Sequence, residues 1–65
     1  MKMSREVVIR YCVGVKGSRK AVLEVWAYAE EAEALIHYSF ACNPVLTLAQ
    51  VFDSNYEFIK QYERL

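Results

Sequence analysis

The first half of the chain carries two runs in which apolar and polar residues alternate. Residues 6–15 form one run and residues 21–29 form the other, with a short polar segment between them. Successive side chains of a strand point to opposite faces of a sheet, so each run predicts a strand with one apolar face. The short separation predicts a hairpin, and Gly17 suits its turn because glycine tolerates positive φ.

Burial of the apolar face indicates a register for this hairpin. Pairing Tyr11 with Val25 and Val13 with Leu23 brings apolar residues together, whereas a slip of one residue would set a tyrosine against a glutamate. This pairing predicts a three-residue loop over residues 17–19. The residues expected on the opposite face are Val8, Arg10, Val22, Glu24, Trp26 and Tyr28.

From about Ala29 the apolar spacing changes to that of an α-helix. Glutamates fill the first turn, where carboxylates favour the positive end of the helix dipole. Asn43 and Pro44 predict its end, because proline disfavours helical geometry in the residue before it. The face expected to pack on the hairpin comprises Ala32, Leu35, Ile36, Ser39 and Phe40.

The segment after the proline fits either a strand or a helix, because Leu48, Val51 and Phe52 also have the spacing of a helical stripe. Its β-branched residues favour a strand over residues 45–52 with Leu46 and Leu48 inward, and two strands alone make a poor sheet. Ser54 and Glu57 have the spacing of a capping box, which predicts a C-terminal helix. The aromatic residues that follow also alternate, so a fourth strand is the rival interpretation.

The predicted fold is therefore a small α+β domain over residues 1–65, since a chain of this length forms one domain. It combines an antiparallel β-hairpin with a third strand, one face covered by a helix, in the order ββαβα. The predicted core comprises Val7, Ile9, Tyr11, Val13, Leu23, Val25, Leu35, Ile36 and Phe40.

Composition adds two expectations about partners. The chain is 55% hydrophobic, which is hard to bury completely in so small a domain, so part of this surface is expected at a homodimer or partner interface. The formal net charge is zero, which gives no strong electrostatic drive toward nucleic acid.

Candidate chemistry is sparse. Cys12, Cys42 and His37 fall short of a structural zinc set, and Glu33 with His37 has the spacing of a solvated helical pair. We therefore expect no enzymatic activity, no metal and no cofactor. The sequence has neither a membrane span nor a secretory signal, which predicts a cytoplasmic protein with reduced thiols.

Two surfaces are candidates for binding. Trp, Tyr and Arg dominate interface hot spots, which favours a protein-binding surface made of Arg10, Val22, Glu24, Trp26 and Tyr28. In the expected register Arg10 lies opposite Trp26, so a self-satisfied cation–π pair is also open, as is cover by the C-terminal segment or a dimer mate. The alternative is a nucleic-acid site at the hairpin tip, made of Lys16, Arg19 and Lys20.

The layout from Val7 to Asp53 is a hairpin, an acidic helix that opens Ala29-Glu30-Glu31-Ala32, and a strand. It resembles small proteins of phages and mobile elements, including some anti-CRISPR inhibitors. That resemblance implies a binder that occupies a surface of a host enzyme or complex without chemistry. The layout also resembles hairpin-plus-helix modules of tyrosine recombinases, which implies DNA binding through the sheet, although Glu24 lies in the middle of this face.

Overall fold

The protein is an antiparallel four-stranded sheet with one helix on one face, in the order ββαββ. The structure, a computed structural model, describes residues 5–64. The strand order across the sheet is β2-β1-β3-β4, so the first strand lies in the interior of the sheet. The elements are β1 (Glu6–Val13), β2 (Lys20–Tyr28), a single 3-10 turn (Ala29–Glu31), α1 (Ala32–Cys42), β3 (Leu46–Asp53) and β4 (Phe58–Glu63).

The α+β class, the hairpin, the central helix and the third strand are confirmed, but the register of the hairpin was wrong by two residues. Tyr11 pairs with Leu23, and Arg10 pairs with Glu24. A shift of two residues leaves every side chain on the same face, so burial determined the faces and left the pairing open. The observed register adds an opposite-charge pair across the strands, which is favourable in a sheet.

The hairpin loop is also longer than the predicted three residues. β1 ends at Val13 and β2 begins at Lys20, so residues 14–19 form the connection. Gly14 has φ +98°, and a Cβ there would lie 3.0 Å from the Ser18 carbonyl oxygen. The loop therefore requires glycine at position 14 for its φ and for space.

The core lies between α1 and the middle of the sheet. Ile9 and Ile36 are completely buried, and the Tyr11 hydroxyl donates a hydrogen bond of 2.8 Å to Ser39 Oγ on the helix. The predicted core residues on the helix and on β1 pack as expected, with Val13, Val25, Leu35 and Phe40 half-buried around the centre. Leu23 is the exception, at 53% exposed, because it lies on β2 at the edge of the sheet.

A bulge in β3 separates two leucines that were both predicted to point inward. Leu48 pairs with Cys12 and Leu46 pairs with Val13, which leaves Thr47 as the extra residue. Both leucines are buried, but only Leu46 belongs to the core cluster beneath the helix. Leu48 follows Cys12 to the opposite face.

The C-terminal segment is a strand, so the predicted second helix was wrong. The expected capping box does not form; instead the Asp53 carboxylate accepts hydrogen bonds from the backbone N–H groups of Asn55 and Glu57, at 2.9 and 3.0 Å. Tyr56 takes φ +63° in this turn. The turn returns the chain along β3, and β4 then pairs with backbone groups that this edge of β3 would otherwise leave without a partner in the sheet.

Arg64 fastens the end of β4 to the C-terminus of α1. Its guanidinium donates hydrogen bonds to the carbonyl oxygens of Phe40 (2.5 Å), Asn43 (3.0 Å) and Leu46 (2.6 Å). It also lies 5.0 Å from the centroid of the Phe40 ring. Phe40 lies in the last turn of α1, where a cation satisfies a carbonyl that has no partner within the helix.

Candidate binding face on the open side of the sheet

We call the sheet surface opposite α1 the outer face. It alternates with the core along every strand, and the pairings place these side chains on it: Val8, Arg10 and Cys12 of β1, Glu24, Trp26 and Tyr28 of β2, Leu48, Gln50 and Phe52 of β3, and Phe58, Gln61 and Glu63 of β4. No helix or strand within residues 5–64 packs across it.

The centre of the outer face is sealed by its own side chains. Val8 is 1% exposed, although the helix lies on the other side of the sheet. Its cross-strand neighbours are Trp26 on β2 and Phe52 on β3, and large rings on both sides can cover a small aliphatic residue between them. The aromatic residues therefore hide a buried floor and present their own outer surfaces to solvent.

Arg10 is held at the middle of this face by two neighbours. Its Nε donates a hydrogen bond of 2.8 Å to Glu24 Oε2, and its guanidinium carbon lies 4.6 Å from the centroid of the Phe52 ring. The cation–π pair between Arg10 and Trp26, which the sequence left open, does not form, because Val8 occupies the position opposite Trp26. Arg10 is thus fixed as a planar donor beside aromatic surface.

Aromatic residues near β4 extend the surface in a way that the sequence interpretation missed. Phe58 pairs with Phe52, and their ring centroids are 6.0 Å apart. Tyr56 lies 6.4 Å from the Phe52 ring, and its hydroxyl is 3.5 Å from Glu24 Oε1. Tyr56 and Phe58 have the two-residue spacing of one strand face, and this spacing could have predicted the aromatic surface. The segment was instead predicted to be a helix.

The residues of the predicted protein-binding surface come together with one exception. Arg10, Glu24, Trp26 and Tyr28 share the outer face. Val22 is instead the extra residue of a bulge, because Leu23 pairs with Tyr11 while Ala21 pairs with Cys12. Trp26 and Phe58 are each 56% exposed, so the two edges of the face carry accessible aromatic rings.

The basic hairpin tip is altered by an ion pair. Arg19 donates a hydrogen bond of 2.7 Å from its guanidinium to Glu63 Oε2 on β4. Lys16 and Lys20 are exposed at the loop, but the guanidinium of Arg19 is bound to β4, the strand at the other edge of the sheet. The predicted three-residue basic cluster is therefore reduced to two lysines, which weakens the electrostatic basis for phosphate binding.

The loop end of the outer face is closed, and the Arg19–Glu63 ion pair lies at this end. The cross-strand row here runs from Ala21 through Cys12 and Leu48 to Glu63. Glu63, at the β4 end of the row, accepts the hydrogen bond from Arg19 in the loop. Cys12 and Leu48 are each 5% exposed, so this end is buried and the aromatic surface lies at the other end.

Two pairs of titratable side chains lie on α1. His37 Nε2 lies 3.6 Å from Glu33 Oε2, as the helical spacing predicts. The hydrogen bond with the Cys42 side chain raises the pKa of Tyr38, with smaller contributions from the charge of Cys42 and from desolvation. Both cysteines are free, and the described residues contain no group of His, Cys, Asp or Glu that could hold a metal ion.

A groove of about 350 Å³ lies on the other side of the sheet, between the start of α1 and β4. Its floor is apolar, with Val7 and Val51, and its rim is charged, with Glu33 and Lys60. The groove therefore combines an apolar floor with charges of both signs at its rim.

Comparisons with known proteins give no relative for this chain. No family model matches it, and searches of curated proteins and of solved structures find no significant match. Among the described residues, no helix is long and apolar enough to cross a membrane. The geometry of the outer face is therefore what any assignment of function must rest on.

Proposed function

We propose that the protein is a non-enzymatic binding module that docks a partner protein on its outer face. The observation that supports this proposal is the exposed aromatic surface around the fixed guanidinium of Arg10. Trp26 and Phe58 expose more than half of their area, and Arg10 lies between the strands that carry them. Rigid rings bury a large area on binding at a small cost in side-chain entropy.

The electrostatics of the outer face favour protein over nucleic acid. Glu24 lies beside Arg10, and Glu63 lies beside Arg19, so each arginine near this face carries its own carboxylate. Nucleic-acid affinity depends on cations that neutralise phosphates, and these two are already paired. Proteins of the phage and mobile-element kind act by occupying a surface, and an aromatic face with balanced charge suits that mode of action.

The test is affinity capture from candidate host lysates followed by titration of the captured protein. Trp26→Ala and Phe58→Ala remove exposed rings from the outer face, while Tyr38→Ala removes an exposed ring from α1 and serves as the matched control. We expect Trp26→Ala to weaken binding by about 2 kcal/mol or more, roughly a thirtyfold loss. Tyr38→Ala should bind like the unmodified protein.

Two results would contradict the proposal. Equal affinity of the Trp26→Ala and Tyr38→Ala variants would remove the outer face from the interface. Capture of nucleic acid alone, with steep salt dependence and loss on replacement of Lys16 and Lys20, would instead support the hairpin tip as a nucleic-acid site. A nuclease-treated lysate separates these outcomes.

A further inference from the structure

The outer edge of β2 carries a row of backbone hydrogen-bonding groups that point away from the sheet. Ala29 N–H donates to the Arg5 carbonyl at 2.7 Å, which makes Arg5 and Ala29 a hydrogen-bonded pair. Such pairs alternate along an antiparallel ladder, and the ladder is regular from Glu6 as far as Tyr11. The N–H and C=O groups of Glu24, Trp26 and Tyr28 therefore point outward.

The part of this edge over residues 23–28 has few of the features by which proteins block unwanted strand pairing. Charged side chains, prolines and bulges protect edge strands, but residues 23–28 contain no proline, and Glu24 is their one charge. The bulge of β2 lies at Val22, before this segment begins. Leu23 and Trp26 are each more than half exposed here, so the segment is apolar as well as unpaired within residues 5–64.

The opposite edge of the sheet is protected by comparison. Arg64 N–H donates to the Thr47 carbonyl, so by the same alternation the groups of Gln61 and Glu63 point outward from β4. A bulge at Ile59 interrupts this strand, and Lys60 lies beside the bulge. The outward row on β4 is therefore short, charged and irregular, whereas that on β2 is continuous.

We propose that the β2 edges of two copies pair antiparallel and form one eight-stranded sheet. A two-fold axis at Trp26 sets Trp26 opposite Trp26 of the second copy, and Glu24 opposite Tyr28 of the second copy. All outward groups of the segment then find partners, since each of these pairs joins outward-pointing residues. The register centred on Glu24 is disfavoured because it opposes two carboxylates and reaches the bulge at Val22.

The second copy fits this edge because the segment is its own complement. It is extended, nearly uncharged and already ordered by β1, so pairing requires little further ordering of either chain. A two-fold axis perpendicular to the sheet keeps both outer faces on one side. The aromatic surface then becomes continuous across two copies, while both helices lie on the other side. The pairing is made by backbone groups and is independent of the proposed partner protein.

Amide hydrogen exchange by NMR, with light scattering at the same concentrations, tests the pairing. At concentrations where light scattering gives a dimer, the amides of Glu24, Trp26 and Tyr28 should exchange at least tenfold more slowly than in dilute samples. The amides of Val25 and Ala27 should be protected at every concentration, because β1 binds them. A strict monomer up to millimolar concentration, or a dimer in which the three outward amides stay fast, overturns the inference.

Substitutions at position 24 separate the backbone from the side chain. Glu24→Pro removes an outward N–H and leaves the ladder to β1 intact, since proline is tolerated on the free side of an edge strand. Glu24→Gln removes the charge and keeps the N–H. We expect the proline variant to dimerise at least tenfold more weakly than the glutamine variant. Equal dimerisation of the two variants would overturn the inference.

A second pair of variants applies if the proline variant fails to fold. Leu23→Lys places a charge on the β2 edge, and Ile59→Lys places the same charge on the β4 edge. Edge lysines oppose strand pairing, so Leu23→Lys should lower dimerisation at least tenfold while Ile59→Lys leaves it unchanged. The reverse result, or no difference, contradicts pairing through β2.

Discussion

The two faces of the sheet are buried by different means. On the inner face, α1 covers Ile9 and Tyr11 with side chains from a separate element. On the outer face, Val8 is equally inaccessible, but its cover comes from neighbouring residues of the same sheet. The comparison teaches that burial of a strand residue does not require a second layer, provided that large rings flank it. It also separates residues that stabilise the fold from residues that remain available to a partner.

The largest expected effect is on the inner face. Ile36→Ala should lower the free energy of unfolding by about 2–5 kcal/mol, because it leaves a cavity at a completely buried position. Urea denaturation followed by circular dichroism measures this. Tyr38→Ala on the exposed side of α1 is the control and should change stability by less than about 0.5 kcal/mol. Equal effects of the two variants would mean that the helix does not pack as described.

A smaller effect tests whether the outer face truly buries its floor. Val8→Ala removes two carbon atoms from a site that is 1% exposed, which should cost about 1.5 kcal/mol. Val22→Ala makes the same chemical change at an exposed bulge and should cost less than about 0.5 kcal/mol. If Val8→Ala proved as mild as Val22→Ala, the aromatic neighbours would not be excluding water.

A third prediction concerns the contribution to stability of the hydrogen bond between β1 and α1 on the inner face. Tyr11→Phe keeps the ring and removes the hydroxyl that donates to Ser39 at 2.8 Å. We expect a loss of about 0.5–1.5 kcal/mol, at the lower end because Ser39 still donates to the Leu35 carbonyl. A double-mutant cycle with Ser39→Ala measures the coupling. Strictly additive effects would show that the two hydroxyls contribute independently.

A modest effect on stability is expected where the effect on binding is greatest. Trp26→Ala should lower the free energy of unfolding by about 1 kcal/mol, because the ring is more than half exposed but its buried part helps to cover Val8. Thermal denaturation of this variant and of the unmodified protein measures the change in stability. A loss as large as that of Ile36→Ala would make Trp26 part of the structural core and remove the distinction between the two faces.

Much of this fold could be predicted from the sequence, because the spacing of apolar residues within a short segment indicates both its secondary structure and its buried face. The alternation around Ile9 and the helical spacing around Ile36 correctly predicted which side chains are buried together. The pairing of Tyr11 with Leu23 escaped prediction, since a slip of two residues preserves every face. Backbone hydrogen bonds and the Arg10–Glu24 ion pair decide between such registers, and neither is visible in a local pattern.

The candidate site was predicted only in part, because a local pattern does not show which strands pair. Trp26 and Tyr28 were recognised because their strand alternates clearly. Phe52 and Phe58 were missed because their place depends on a strand that pairs with β3, a contact made by the whole sheet. The Ser54-x-x-Glu57 spacing suggested a helix, but the Asp53 carboxylate binds the turn instead. Pairing of this segment with the edge of β3 therefore outweighed the local preference for a capped helix.

The strand order has a consequence for the speed and sequence of assembly. β1 with β2, and β3 with β4, are local hairpins, each joined by a short connection. The seam between β1 and β3 is the long-range contact, and Ile9 meets Val51 there. Isolated hairpins are marginal in water, and long-range contacts form only after a loss of chain entropy. We therefore expect the meeting of the two hairpins beneath α1 to set the folding barrier, with either hairpin transient until the seam closes.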